Sequence, residues 1–210
     1  MGLEQDISLE AHGLSCIRDD RILFSELEFD LRPHQVLVIE GRNGSGKTSL
    51  LRILCGIRMQ DEGTIHWCGD PIDKLGGQYF RHLAYIGHMD GVKRDLTAME
   101  NLAIAKALGT ANDIGPEEAL EQVGLGGFED VFAQSLSAGQ RRRIALARLL
   151  VTRHRLWIVD EPFTALDKDG VDIFKTMIEK HTASGGMVAF TSHQDVVFEG
   201  PELQYIHLST

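Results

Sequence analysis

The sequence predicts an α/β fold with a mostly parallel β-sheet, an antiparallel β region near the N-terminus and a helical subdomain. Two short apolar runs, at residues 36–39 and 156–159, have the length and composition of strands that are buried on both faces. A helical segment follows each run, and strands that alternate with helices favour a parallel sheet with crossover connections. Residues 7–39 contain short apolar runs separated by polar clusters, a pattern typical of antiparallel strands.

Turn signals and periodicity place the other elements. The polar run at residues 18–21 predicts a hairpin turn, and Gly56 is positioned to end a helix that begins near Lys47. Further expected elements are mostly helical structure at 97–147 with loops at 109–115 and 124–127, a helix at 170–181 and a strand at 187–191. We expect one domain over residues 1–210, with a catalytic core and β subdomain at about 1–88 and 149–210 and a helical subdomain at about 89–148.

Composition excludes several classes of function. Because 43% of the 210 residues are hydrophobic, the chain can bury a sizeable core. No apolar run approaches the roughly 20 residues that span a bilayer, so any membrane-spanning part is expected on another chain. The net charge of −10 argues against a nucleic-acid-binding protein, which needs a basic surface. Cys16, Cys55 and Cys68 lack the spacing of metal ligands and are expected to be free thiols.

A phosphate-binding loop is predicted between the first buried strand and the following helix. Its residues fit the pattern G-x-x-x-x-G-K-[S/T] and are Gly41, Arg42, Asn43, Gly44, Ser45, Gly46, Lys47 and Thr48, with Ser49 next in the chain. The glycines let backbone N–H groups surround phosphate oxygens, and the start of the helix adds partial positive charge. Lys47 is expected to reach the β- and γ-phosphates, and the Thr48 hydroxyl to bind Mg²⁺. The loop predicts a P-loop NTPase, and an ordinary glycine-rich turn is the disfavoured alternative.

Two carboxylates follow the second buried strand. Asp160 and Glu161 come directly after the apolar run, so we expect them at the carboxyl edge of the sheet, beside the phosphate loop. Asp160 is predicted to hold Mg²⁺ through water molecules, because this ion keeps part of its hydration shell. Glu161 lies one residue farther out and is predicted to polarise the attacking water. The alternative interpretation, that the two carboxylates only mark a solvated strand end, is disfavoured because the phosphate loop is present.

A third segment completes a family pattern. Residues 136–140, of sequence LSAGQ, precede a strongly helical run for which Ser137 is the predicted N-cap. The segment resembles the LSGGQ signature of ATP-binding cassette proteins, and the three motifs occur in that family's order along nearly the whole chain. The resemblance implies that Ser137 and Gly139, with Gln140 in the same binding segment, contact the γ-phosphate of an ATP held by a second copy. It therefore implies a dimer of cassettes with ATP sandwiched between them.

Two further segments match the same family. Residues 164–167, of sequence TALD, resemble the D-loop, which lies across the dimer interface. His193 follows the apolar run at 187–191, where the family places its switch histidine. The resemblance implies that His193 bonds the γ-phosphate and acts with Glu161. The basic run at 141–143 permits two interpretations, a nucleic-acid patch or a solvated helix face, and the acidic composition favours the second.

Three positions depart from the family pattern. Arg18 stands where many cassettes stack an aromatic residue on adenine, and a guanidinium can also stack on a base. His88 replaces the Q-loop glutamine that links the Mg²⁺ site to the membrane partner, and Ala138 replaces the first signature glycine. Together with residues 86–93 and 160–168, these departures resemble the ATPase subunits of bacterial haem exporters used in cytochrome c maturation. The resemblance assigns Arg18 and His88 to the nucleotide site, and His88 also to the Mg²⁺ site.

The resemblance implies an ATPase with ATP and Mg²⁺ as ligands and with Glu161, His193 and Lys47 as catalytic residues. Closure and reopening of the cassette dimer would drive the separate integral membrane permease of a haem exporter, so that haem or the haem-loaded chaperone is released outside the inner membrane. The chain is expected at the cytoplasmic face of the bacterial inner membrane as a peripheral protein. We expect it to bind neither haem nor nucleic acid.

Four alternatives compete with this prediction. An importer or exporter ATPase for another small substrate is the first. A cassette that acts on ribosomes or DNA is disfavoured, because the sequence shows no second cassette, coiled-coil insertion or basic extension. A nucleotide-switch GTPase would need an N-K-x-D motif, which does not occur. A cassette that binds ATP without hydrolysing it is disfavoured by the intact Lys47, Asp160, Glu161 and His193.

Overall fold

The computed structural model describes residues 7–193 and 196–209 and contains two β-sheets with helices packed against them. The described strands are β1 (Leu9–Arg18), β2 (Arg21–Leu31), β3 (Gln35–Gly41), β4 (Glu62–Trp67), β5 (Asp70–Pro71), β6 (Leu83–Ile86), β7 (Leu156–Val159), β8 (Met187–Thr191) and β9 (Glu202–Leu208). The described helices are α1 (Lys47–Leu54), α2 (Ile72–Leu75), α3 (Gly77–Phe80), α4 (Ala98–Leu108), α5 (Pro116–Gln122), α6 (Ala138–Ala147) and α7 (Lys168–Ala183). Within the described ranges, no helix is long and apolar enough to cross a membrane.

The larger sheet is parallel, with the strand order β6-β7-β8-β3-β9. Alternate residues of its central strands enter two separate hydrophobic cores, because successive side chains of a strand point to opposite faces. In β3, Val36 and Val38 pack into one core, and Leu37 and Ile39 into the other. The predicted buried strands are thereby confirmed. Strands β6 and β9 are not among the predicted elements, and both contain partly exposed residues.

The smaller sheet is antiparallel, with the strand order β2-β1-β4-β5. Its first hairpin turns at Asp19 and Asp20, both in the left-handed region at φ 51° and 59°, which confirms the predicted turn. The sheet shares the second core with α1, where Leu31 of β2 and Leu51 of the helix are fully buried. This packing fixes the start of α1, and with it the phosphate loop, against the antiparallel sheet.

Helices α4, α5 and α6 contact one another and share the first core with the parallel sheet. Capping boxes begin two of these helices, at Thr97 with Glu100 and at Ser137 with Gln140. The prediction of mostly helical structure at 97–147 is correct for these three helices but wrong for residues 128–137, which form turns and a short 3₁₀ helix (Ala133–Ser135). The boundaries of a helical subdomain, at about 89–148, stay a prediction.

The parallel direction of β3, β6, β7 and β8 places their carboxyl ends at one edge of the sheet. The segments that follow these ends are the phosphate loop, His88, the pair Asp160 and Glu161, and His193. In open α/β sheets this edge is the usual position of ligand sites.

Candidate functional site

The phosphate loop presents uncapped N–H groups at the start of α1. The N-cap residue is Gly46, which has φ 101°, carries no capping side chain and is followed by no acidic residue in the first turn. The first N–H groups of a helix have no partner within the helix, so here they can bind an anion. A Cβ at Gly46 would lie 3.0 Å from Cβ of Leu23 in β2, so the loop packs closely on the antiparallel sheet.

The Lys47 side chain folds back over this loop. Its Nζ donates to the carbonyl oxygens of Gly41 at 2.7 Å and Arg42 at 3.1 Å. Burial lowers the pKa of Lys47, and the nearby carboxylates of Glu161 and Asp160 oppose that shift. The Ser45 hydroxyl is also buried, and no partner for it occurs in the described part of the chain. An ammonium and a free hydroxyl beside uncapped N–H groups fit the oxygens of a polyphosphate.

The remaining residues of the loop differ in exposure. Three form its outer face and are solvent-exposed, namely Arg42, Asn43 and Gly44. Ser49, in the first turn of α1, is buried.

Asp160 joins the phosphate loop to two strands of the sheet. Its side chain is buried, and its Oδ2 accepts a hydrogen bond from Thr48 Oγ1 at 2.8 Å. Its Oδ1 accepts from Thr191 Oγ1 at 2.8 Å. A hydroxyl and a carboxylate are the hard oxygen ligands that Mg²⁺ prefers, so this pair fits the predicted ion. No group of three or more His, Cys, Asp or Glu side chains suited to a metal occurs in the described ranges.

Glu161 lies between two histidines. His193 Nε2 is 3.2 Å from Glu161 Oε1, and His88 Nδ1 is 3.4 Å from Glu161 Oε2. Thr164 Oγ1 also donates to Oε2, at 3.3 Å. Burial acts to raise the pKa of Glu161, but the His193 hydrogen bond, the two histidine charges and the Thr164 bond outweigh it, so the pKa lies below its usual value. Glu161 is therefore a carboxylate at neutral pH, as a group that orients water must be.

Two of the three departures from the family pattern, His88 and Arg18, have different surroundings. His88 is exposed and contacts Glu161, the predicted general base, a contact that the sequence does not suggest. Its contribution to the Mg²⁺ site stays a prediction. Arg18 ends β1 at the hairpin turn, where its exposed guanidinium lies 3.4 Å from the Asp19 carboxylate. Its contribution to adenine binding also stays a prediction.

The signature residues form a second, separate concavity. Ser137 caps α6, which confirms its predicted role as N-cap. A Cβ at Gly139 would lie 2.7 Å from the carbonyl oxygen of Ala165, so the signature packs tightly on the D-loop. A cavity of about 360 Å³ opens here, and its lining residues are Gly124, Leu125, Ser137, Gly139, Gln140, Arg143, Ala165 and Asp167. No residue of the phosphate loop lines this cavity.

The basic run at 141–143 is not a solvated helix face. Arg142 is only 4% exposed, and its guanidinium donates to backbone carbonyls of the loops after β6 and β7. Arg143 forms an ion pair with Asp167 of the D-loop. The prediction for this run is therefore wrong. A signal was present, since Arg142 shares the helical spacing of the buried Ala145 and Leu146.

Comparisons with known proteins show the family of this chain. The ABC transporter family matches residues 24–164 of the chain. The cytochrome c biogenesis ATP-binding export protein CcmA of Vibrio vulnificus is 46% identical over 202 residues, which cover 95% of this chain and 98% of that protein. The protein of the same name from Nitrosomonas europaea is 49% identical over 203 residues, with 96% and 95% covered. An ATP-binding ABC transporter protein from Pyrococcus furiosus has the same fold, with a TM-score of 0.81 at 23% identity over 94% of this chain and 96% of that one.

Proposed function

Because the chain belongs to the ABC transporter family, within which it is the ATPase subunit of a transporter, we propose that two copies clamp MgATP between them and drive a membrane permease. The observation that carries this proposal is the grouping of Lys47, Asp160 and Glu161 at one edge of the parallel sheet. Lys47 supplies an ammonium that binds phosphate, Asp160 supplies an oxygen ligand for a metal ion, and Glu161 supplies a carboxylate that orients water.

Nucleotide binding follows from the local chemistry of the loop. The first N–H groups of α1 and the Lys47 ammonium bind the β- and γ-phosphates, and the Ser45 hydroxyl adds a further donor. Thr48 and Asp160 would hold Mg²⁺, which when bound neutralises charge on the phosphate oxygens. Their existing hydrogen bond places both oxygens side by side before any ligand is present.

Hydrolysis requires a water molecule aligned with the γ-phosphorus. Glu161 orients this water and accepts its proton, while the new P–O bond forms and the bond to the β–γ bridging oxygen breaks. The His193 contact keeps the Glu161 carboxylate ionised and fixes its direction. His88 contacts the other carboxylate oxygen and acts as a second orienting group. The products are ADP and inorganic phosphate.

The second copy completes the site. The signature concavity contains Ser137 and Gly139 but no phosphate-loop residue, which supports a phosphate group supplied by a second copy. The N-terminus of α6 makes this position suitable for a γ-phosphate. A phosphate that is bound by both copies stabilises the closed dimer, and its release after hydrolysis reopens it.

The transported cargo is proposed from the relatives. Proteins at 46% and 49% identity carry the name cytochrome c biogenesis ATP-binding export protein. We therefore propose that the partner is the integral membrane permease of a haem exporter, with this chain bound at the cytoplasmic face of the bacterial inner membrane. Haem is handled by the permease and its other partners, and this chain supplies the ATP-driven motion.

Glu161→Gln tests the catalytic assignment. The variant is expected to bind ATP with unchanged affinity, to lose steady-state hydrolysis and to elute as a dimer in gel filtration with MgATP. Glu121→Gln, the same change on the exposed surface of α5, serves as the matched control and should hydrolyse ATP like the wild type. Hydrolysis by Glu161→Gln at the wild-type rate would reject Glu161 as the base.

Lys47→Ala should abolish ATP binding, and retained affinity would contradict the loop assignment.

The cargo assignment needs a separate experiment. The tagged chain is purified from detergent-solubilised membranes, and its partners are identified by mass spectrometry. A multi-span permease encoded with cytochrome c maturation proteins supports the haem assignment. Recovery with an unrelated permease contradicts it and leaves the ATPase assignment intact.

A further inference from the structure

Resting on the proposed two-copy site, we propose that Arg142 is a positioning residue that couples the two nucleotide sites of the dimer. It links the signature end of α6, which contacts one ATP, to the loops that orient the water for the other ATP. Arg142 touches neither nucleotide itself.

Arg142 is held by carbonyl groups. Its Nη2 donates to the carbonyl oxygens of Asp160 at 2.7 Å and Glu161 at 2.9 Å, and its Nη1 donates to Gly87 at 3.0 Å. Its Nε lies 3.4 Å from the Pro162 carbonyl. Across the described residues Arg142 forms no ion pair, although buried arginines are usually paired with a carboxylate. The guanidinium thus connects backbone segments, and its planar set of donors suits several carbonyls at once.

The bonded carbonyls belong to the catalytic loops. Gly87 directly precedes His88, and both Asp160 and Glu161 contribute their own carbonyls. Arg142 therefore helps to hold both the loop that carries His88 and the loop that carries Glu161. The contact between these two side chains depends on both loops, and the His193 contact depends on the loop of Glu161.

Glu161 has a strained backbone that needs such support. Its φ of 46° lies in the left-handed region, which is unfavourable for a non-glycine residue. Two groups hold it there: its N–H donates to Thr191 Oγ1 at 2.7 Å, and its carbonyl accepts from Arg142 at 2.9 Å. Loss of the Arg142 bond would allow the backbone to relax and turn the carboxylate away from the water.

The same helix carries the signature. Ser137 and Gln140 form the capping box of α6, and Arg142 projects from the next turn. A short helix moves as a rigid unit, so a shift of its N-terminus displaces Arg142 and the carbonyls bound to it. When the partner copy's γ-phosphate docks on Ser137, α6 is fixed, and Glu161 of the same chain is fixed with it. Each site is then ready for hydrolysis only when the other holds ATP.

The test compares Arg142→Gln and Arg142→Lys with the wild type. For each protein, ATP affinity is measured by equilibrium dialysis, folding by circular dichroism, and hydrolysis as a function of ATP concentration. Both variants should fold and bind ATP within about twofold of the wild type, because Arg142 does not touch the phosphate loop. We expect their kcat to fall roughly tenfold or more, and the Hill coefficient to fall from above 1 to about 1.

Arg148→Lys is the matched control. Arg148 lies at the end of the same helix, is partly buried and donates to a carbonyl, that of Asp90 at 3.2 Å, away from Glu161. This variant should keep both kcat and the Hill coefficient. Wild-type kinetics for Arg142→Lys would mean that charge alone is sufficient and would overturn the proposal. A reduced kcat with an unchanged Hill coefficient, or a wild type without cooperativity, would overturn it too. A wild type that neither hydrolyses ATP nor dimerises would refute the proposed function instead.

Discussion

His181 makes the stability of this protein sensitive to mild acid. Its imidazole, on α7, stacks on the Trp157 indole with ring centroids 3.8 Å apart and an interplanar angle of 8°. Burial is the largest influence on this ring and lowers the pKa of His181 from 6.5 to about 4, while backbone groups of Arg155 and Met187 oppose the shift. The folded protein therefore keeps His181 neutral at pH values where the unfolded chain binds a proton.

The sign of the effect follows from proton linkage. Above pH 6.5 neither state is protonated at this residue, so its contribution to the free energy of unfolding is complete. As the pH falls from about 6.5 to about 4, the unfolded state gains the proton first, and stability decreases. The loss attributable to His181 reaches about 2.5 kcal/mol at pH 4.5. Since small proteins are stable by roughly 5–15 kcal/mol, this loss is measurable.

The assay is urea denaturation followed by far-UV circular dichroism between pH 7.5 and 4.5. His181→Phe keeps an aromatic ring against Trp157 but cannot bind a proton, so its unfolding free energy should fall by about 2.5 kcal/mol less than that of the wild type. His12→Phe, the same change at an exposed position, is the control and should follow the wild type. An identical pH dependence in wild type and His181→Phe would refute the reasoning.

Two further predictions concern the site. Gly139→Ala would place a Cβ 2.7 Å from the carbonyl oxygen of Ala165, so the signature must move; ATP hydrolysis should fall roughly tenfold or more while ATP affinity is kept. Thr191→Val removes the hydroxyl that accepts from the Glu161 N–H and donates to Asp160; the unfolding free energy should fall by about 1–3 kcal/mol in urea, with a loss of hydrolysis.

Each of these variants has a matched control. At Gly115 an added Cβ meets no atom within 4 Å, so Gly115→Ala should hydrolyse ATP normally. Thr176 is exposed on α7, and Thr176→Val should leave stability nearly unchanged. Full activity of Gly139→Ala would contradict the tight contact between signature and D-loop. Wild-type stability of Thr191→Val would show that the buried hydrogen bonds of Asp160 contribute little.

The sequence by itself predicts the parts of this protein that depend on local spacing. The glycines around Lys47 and the apolar run before Asp160 specify a phosphate loop and a strand end, because turn geometry and strand periodicity are set by neighbouring residues. Their common location also follows, since the carboxyl ends of parallel strands share one edge of the sheet. The strands β6 and β9 are not predicted from the sequence. Both pair with strands that are distant in the chain, and such pairing is decided by the fold.

Tertiary structure alone decides which distant side chains meet. The sequence places His88 and Glu161 in different segments, and only the pairing of β6 with β7 brings their side chains to 3.4 Å. Arg142 has the charge of a surface residue, yet it is buried, because carbonyls from two loops satisfy its donors. Burial of a charged group depends on partners that the fold assembles from remote parts of the chain, so the helical spacing of Arg142 indicates a buried position but not the carbonyls that satisfy its donors.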